Sequence, residues 1–441
     1  MVLVPFFIKP RIGRNAAIDR GYKLTSMFYA RLAGLYPDLE AGWRYWFFGT
    51  YLNSVYVAYA YYVLAYVIAN IIAVKYKDFE LIGSTFCFGS YTYVYSLITI
   101  MFLIKRKKID RLLEIVGNDV YKYRRPPTKE ETLIKETETM KVIVYGRYTF
   151  FIPCSVALMQ MAVVPAYHGL RGEYTSIVNG STPINKYSPL PVWTPVEATT
   201  GLSFFVLYWC QLCPGFVEFL IFHGSCTFYI GGSCALVSNL KLLHHSLGRL
   251  VDRAEYLYDI KNGKYDHQSK IPLNTELFDE CMVECLKENV QHHIEIIKFH
   301  HLFQDIVGYS NLFIFSGAAV TISTPPFTII KIAELEDRHQ LLCAGIVMIG
   351  HAFLSLFLLA QYCKYGQSIE DESEKILESY YFTPWFKARK SFRQLLVVAM
   401  SNSLNPLQIK SAVLGISASA ATYMSIIKSA YTMLNFLVTA K

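Results

Sequence analysis

Charge is scarce in this chain. Asp, Glu, Lys and Arg make up 17% of its 441 residues, against about 25% in an average soluble domain. Hydrophobic residues make up 53%, and the mean hydropathy is +0.28. The shortage of charge excludes a disordered chain, and the apolar excess does not suit the roughly three soluble domains that length alone suggests. Catalytic signatures are missing too. The chain has no G-x-S-x-G, G-x-x-x-x-G-K-[ST], G-x-G-x-x-G or H-E-x-x-H, so nothing points to an enzyme or a cofactor. No basic face on a soluble fold is visible, and nucleic acid is not an expected partner. A signal peptide is also lacking. In MVLVPFFIKPRIGRN the apolar run is short, the basic residues follow it, and no small-residue cleavage site appears. The first true span is expected to serve as the insertion signal. The ten cysteines make no secreted disulfide framework, since Cys87, Cys154, Cys210, Cys213 and Cys343 lie in apolar runs. Cys210-x-x-Cys213 has no nearby His and reads as part of a hydrophobic helix.

Long apolar stretches are abundant. A helix needs about 20 apolar residues to cross about 30 Å of hydrocarbon. Spans are expected near 46–74, 81–104, 142–164, 202–226, 306–330, 341–359 and 412–438. The fourth stretch stays apolar to about Leu236, too far for one crossing at about 1.5 Å per residue. It is expected to leave the bilayer and continue as a buried helix. The segment Trp385 to Ala399 is amphipathic and basic and reads as a further helix outside the membrane, ending before Asn405-Pro406. The chain divides at about residue 360. Residues 1–360 hold six spans and a long helical insertion at 237–304, and residues 361–441 hold the extra helix and the last span.

The charge that is present is concentrated. Residues 1–44 hold 7 basic residues, residues 105–147 hold 12 and residues 361–410 hold 7, whereas the intervening short loops hold two each. Cytoplasmic loops accumulate Lys and Arg, so this pattern puts the N-terminus in the cytoplasm and, across seven spans, the C-terminus outside. The net charge of +8 is in this reading an orientation signal. Asn179-Gly180-Ser181 is a glycosylation acceptor on an expected outer loop. The fold class is thus an all-α membrane protein with a cytoplasmic helical region.

Histidine pairs stand at 244–245, 292–293 and 300–301. They read as polar helix faces rather than a metal site, because no Cys-x-x-Cys pair or Asp/Glu ligand set accompanies them at ligand spacing. Glu218 and Lys428 are the notable ionisable groups in the spans, which show no two-fold internal symmetry, and this disfavours an ion-coupled transporter. A small-molecule pocket needs aromatic walls and a few polar anchors. Span two offers Phe86, Phe88, Tyr91, Tyr93 and Tyr95, and span three offers Phe150, Phe151, Ser155 and Met159. Span four offers Phe205, Tyr208 and Trp209, and His351 lies in span six. The candidate ligand contacts are Phe88, Tyr91, Phe151, Ser155, Met159, Phe205, Tyr208 and His351. The last span is rich in Ala, Ser and Gly and then interleaves Thr432, Asn435 and Thr439 with bulky residues. Such a helix either packs closely against neighbours or lines a water path.

Four motifs in the last third then carry a resemblance. They are Cys363-Lys364-Tyr365-Gly366 with the following Glu372-Ser373; Tyr380…Trp385…Arg389-Lys390; Asn405-Pro406-Leu407; and Thr422-Tyr423-Met424-Ser425-Ile426-Ile427-Lys428-Ser429-Ala430-Tyr431. In that order and spacing they resemble the insect odorant receptors. The gustatory branch carries Gln-Phe where Ser429-Ala430 stands, which argues against that alternative. A G-protein-coupled receptor needs an outside N-terminus. The resemblance implies an odorant-gated, non-selective cation channel in the plasma membrane of an olfactory dendrite. It also implies a heterotetramer with a common co-receptor, a volatile odorant held in an outer-half pocket among spans two, three, four and six, and a pore lined by span seven. By position it implies a constriction at Phe436, with Thr432, Thr439 and Ala440 beside it. The chain departs from the family's usual ending over Thr432–Leu437.

Overall fold

The computed structural model describes residues 15–25, 27, 30–31, 35, 43–172, 183–195, 200–262, 276–334 and 338–439. Among them the chain is almost wholly helical, with one isolated antiparallel bridge between Lys410 and Ser417. Capping chemistry sets many of the helix starts. Asn15 accepts from the amide of Ala17 at 3.0 Å to open α1 (Ala16–Leu24). Helix α2 (Trp43–Tyr76) turns at Lys77, and Asp78 then caps α3 (Phe79–Ile104) through the Leu81 amide at 3.1 Å. Helix α4 (Arg106–Asn118) follows at once and packs on α1. Glycine permits that crossing, because a Cβ at Gly21 would lie 1.9 Å from the Leu113 carbonyl oxygen and one at Gly117 1.7 Å from that of Ala17.

A reciprocal cap between Thr128 and Glu131 opens α5 (Lys129–Leu158), with bonds of 3.0 and 3.2 Å. This helix contains Pro153, passes through a π-helical turn (Met159–Val163) and ends in α6 (Val164–Leu170). A second capping box, Thr200 with Ser203, opens α7 (Gly201–Gly248). Its 48 residues extend about 72 Å without a break at Pro214. The long fourth stretch is therefore one continuous rod that outruns any single crossing. Helices α8 (Leu250–Asn262), α9 (Glu276–Ala333) and α10 (Arg338–Tyr381) complete the large bundle. Helix α9, at 58 residues, joins the periodic segment of the 237–304 insertion to the fifth span without interruption.

Two helix boundaries differ from the sequence reading. The segment from Trp385 is not one helix. Trp385–Lys387 forms a 3-10 turn, Arg389 is extended, and α11 starts only at Lys390 and runs to Asn402. Arg389 is held outward by Asp279 at 2.7 Å and Glu276 at 3.2 Å. The last span is also shorter than expected. Residues 412–419 are turn and extended chain, and α12 is Ala420–Thr439. The reason is local bonding. Lys410 and Gln304 exchange two hydrogen bonds of 2.6 and 2.7 Å, Ala412 donates to Gly308 at 2.8 Å, and Val413 and Gly415 take positive φ. A helix cannot pass through two left-handed residues.

Six helices among the described residues are long and apolar enough to cross a membrane. Helix α12 has 20 residues, about 30 Å, which matches the hydrocarbon thickness, but its polar stripe makes it less apolar. The main core sits where α7, α9 and α10 continue together beyond the crossing segments, around Phe228, Tyr229, Phe303, Tyr362 and Tyr380, all at most 2% exposed. Tyr229 donates to the Tyr362 carbonyl at 3.0 Å.

Candidate functional site

A cavity of about 90 Å³ lies between α3, α5, α7 and α10, within the crossing segments. Helical phase decides which side chains reach it. Phe88, Tyr91 and Tyr95 follow i, i+3, i+7 along α3. Pro153, Val156, Ala157 and Gln160 do so along α5 and its π turn, and Gly215, Glu218, Phe219 and Phe222 along α7. Tyr66 from α2, Met161 from the π turn, and His351 and Leu354 from α10 complete the wall, with Leu190 from the 183–195 segment. The rings interlock edge to face. Phe88 meets His351 at 4.8 Å and Tyr95 meets Phe222 at 5.6 Å between ring centres.

The polar groups form an ordered set. Gln160 donates its amide to the Pro189 carbonyl at 2.9 Å and faces His351 Nε2 at 2.8 Å. Tyr91 shares its hydroxyl between Ser355 and the His351 carbonyl, the latter at 3.2 Å. Both Glu218 oxygens accept from the Thr92 hydroxyl at 3.1 Å, and the Thr92 carbonyl accepts from Tyr59 at 3.1 Å. Such a site holds a small molecule by contact with rings and orients it through a few fixed polar atoms.

Three of the eight sequence candidates meet at this cavity: Phe88, Tyr91 and His351. Phe151, Met159 and Phe205 are 65%, 45% and 52% exposed on the outer surface of the bundle. Ser155 is exposed and bonds back to the Ile152 carbonyl at 2.7 Å, and Tyr208 is half-buried on α7 outside the lining. The lining residues that the sequence did not single out include Tyr66, Gln160, Phe219 and Phe222. Glu218 stood out only as an ionisable group. The signal available for Gln160 was an amide inside an apolar run.

On α12, Thr432, Phe436 and Thr439 are all exposed, Phe436 at 69%. Ala440 and Asn179 lie outside the described residues. The histidine pairs diverge to separate partners. His244 bonds Ser379, His245 approaches Glu130 at 3.4 Å, His292 bonds the Tyr123 hydroxyl at 2.7 Å, and His300 bonds the Gln408 carbonyl at 3.0 Å. These rings lie outside the apolar crossing segments. Burial lowers His292 to about 3 and His293 and His300 to about 4, because a low-dielectric surround disfavours the charged form. Among the described residues no group of three or more His, Cys, Asp or Glu is arranged to hold a metal. Cys210 is free and exposed, and the side chain of Cys213 lies outside the described residues.

A family model described as 7tm odorant receptor matches residues 78–431. The chain belongs to the odorant receptor family. Odorant receptor 33b of Drosophila melanogaster is 27% identical over 149 residues, which is 33% of this chain and 37% of the relative. Odorant receptor 67c of Drosophila melanogaster is 23% identical over 249 residues, or 56% of this chain and 54% of that one. The matched parts thus span about a third and about half of those two relatives. The fold is that of the olfactory receptor OR5 of Machilis hrabei, with a TM-score of 0.71 at 13% identity over 97% of this chain and 100% of that one. The same receptor in complex with eugenol gives a TM-score of 0.70 at 12% identity, again over 97% and 100%. The odorant receptor family comprises multi-pass membrane receptors, not enzymes.

Proposed function

We propose that this odorant receptor chain is one subunit of an odorant-gated, non-selective cation channel, and that a small volatile compound opens it from the cavity among α3, α5, α7 and α10. The observation that carries the reading is the cavity itself, an aromatic chamber with few polar atoms, one of whose wall helices, α10, also packs on the last span. Helix α10 carries His351 and Leu354 in the wall. About one turn beyond Tyr362 its Gly366 touches the backbone of Ala418, at the entry to α12. A ligand that shifts α10 has a short, packed route to α12. The eugenol complex of the Machilis receptor supports the ligand class for a protein of this fold.

Helix α12 lines the pore in this reading. Thr432, Phe436 and Thr439 share one stripe at i, i+4 and i+7, and Ala440, the fourth expected pore residue, follows Thr439 in the sequence. Ala430 is the one fully buried residue along the described helix, Tyr423 and Ile426 pack partly against the core, and the face that carries Thr432, Phe436 and Thr439 is left exposed for other subunits or water. Phe436 acts as the hydrophobic constriction. The partner is a common co-receptor, in a heterotetramer. Basic residues at 1–44, 105–147 and 361–410 put the N-terminus in the cytoplasm and the C-terminus outside. The receptor resides in the plasma membrane of sensory dendrites, with Asn179 a glycosylation acceptor on the outer side.

Expression with the co-receptor should give volatile-evoked cation current that persists when G-protein signalling is blocked. Silence across a broad volatile panel, with surface delivery shown by biotinylation, refutes the reading. An epitope tag at residue 1 should stain only after permeabilisation.

A further inference from the structure

Glu218 is the acidic residue of the cavity wall, in the later half of the expected fourth crossing segment. Its two oxygens share one hydrogen from Thr92, at 3.1 Å each. Among the described residues no Lys or Arg lines the cavity, and none pairs with this carboxyl. A carboxylate set in an apolar wall without a cation is costly, and an ionisable group at such depth points to a bound partner. The rings of Tyr66, Tyr91, Tyr95 and Phe222 stand around it.

A second feature of the cavity points the same way. Pro189 offers a carbonyl, which only accepts, so the Gln160 NH₂ must face it. The Gln160 oxygen therefore faces His351, and Nε2 of that ring carries the hydrogen. Nδ1 is then a bare acceptor, and it has no partner in a side chain that is 8% exposed. The wall thus holds a carboxyl with one hydroxyl donor and no cation, and beside it a ring nitrogen with no donor, among aromatic faces.

We infer that this cavity takes a small volatile amine, bound as its ammonium form, with Glu218 as counter-charge and His351 Nδ1 as a further acceptor. The assignment rests on the reading of the cavity as the odorant site. An ammonium carries several N–H donors and a charge that the ring faces attract. An alcohol of the same shape brings one donor and no charge, and an ester or hydrocarbon brings none and leaves both acceptors dry. The volume of about 90 Å³ restricts the ligand to a few carbons or one ring.

The test uses the chain with its co-receptor and matched sets of probes: benzylamine, benzyl alcohol and toluene, then pentylamine, pentanol and hexane. At least one amine should activate at concentrations tenfold or more below its alcohol. Glu218→Gln should move the amine response at least tenfold to higher concentration and the alcohol response by a clearly smaller factor, with surface biotinylation showing that the variant reaches the membrane. His351→Phe should weaken the amine response by a smaller factor. If no amine outperforms its alcohol, or if Glu218→Gln moves amine and alcohol equally, the assignment is overturned. Ala157→Phe fills the cavity and separates the two levels of the argument. Where the amine assignment has fallen, alcohol responses that Ala157→Phe abolishes still uphold the cavity, whereas alcohol responses that it leaves intact remove the cavity itself.

Discussion

Gly366→Ala tests the contact through which α10 meets the entry to α12. A Cβ at Gly366 would lie 2.3 Å from the carbonyl oxygen of Ala418, 2.4 Å from its Cβ and 3.0 Å from its carbonyl carbon. Ordinary carbon contacts begin near 3.5 Å, so the segment of residues 409–419 must retreat by about 1 Å. It is not free to do so. Ala418 donates to Ile409 at 2.8 Å, Ser411 to Ile416 at 2.7 Å, and Ala420 to Gln367 at 3.3 Å. Overpacking a tight site costs about 1–3 kcal/mol, and a clash with backbone belongs at the upper end of that range. Such an energy shifts an equilibrium between two packings by about 5- to 150-fold. Gly366→Ala should therefore lower the melting temperature of the solubilised complex and change basal current or the midpoint of the odorant response. Ala418→Gly should restore part of the loss, since it removes the Cβ contact but not the contact with the carbonyl oxygen. Wild-type melting and wild-type gating in Gly366→Ala would refute the close packing on which the coupling route depends.

Arg253→Met should cost about 3–5 kcal/mol in a thermal melt, because Arg253 is 4% exposed, bonds Asn289 at 2.6 Å, pairs with Glu288 and covers Tyr123 at 4.4 Å; unchanged melting would show that the pair contributes nothing. Tyr91→Phe removes a hydroxyl shared by Ser355 and the His351 carbonyl. A net loss of about 0.5–1.5 kcal/mol should shift the dose–response midpoint by up to about tenfold, and no shift for any ligand would exclude Tyr91 from orienting the site. Phe436→Ala should raise basal current, and unchanged basal and evoked currents would remove Phe436 as the constriction. Stability should fall on acidification. His292, His293 and His300 stay neutral in the folded state down to about 3 to 4, while the unfolded chain binds protons below about 6.5. The unfolded state thus gains protons first, and stability lost between pH 6.5 and 4 should be reduced in a His292→Gln, His293→Gln variant measured by thermal melts at pH 7.5 and 5.5.

Much of the architecture was legible because it follows from rules that act along the chain. Apolar length marked the crossings, and an over-long apolar stretch from Leu202 marked α7 as a rod that leaves the membrane. The four C-terminal motifs indicated the family. The start of α12 was not legible. Residues 412–419 are as rich in Ala, Ser and Leu as a helix, and only the bonds to Gln304 and Gly308, over a hundred residues away, turn them into extended chain.

The cavity was decided by tertiary structure alone. On α5, Phe151, Ser155 and Met159 form one stripe and Pro153, Val156, Ala157 and Gln160 the other, and both are compatible with lipid. In water a polar face and an apolar face distinguish outside from inside, but lipid is as apolar as a protein interior, so composition carries no such contrast in a membrane. The sequence by itself determined which stretches are apolar enough to cross, how its charge is shared between loops, and which groups are too polar to face lipid, Glu218 among them. The rotation of each helix about its axis, set by packing against its neighbours, determined that Glu218, His351, Phe88 and Tyr91 meet in one chamber.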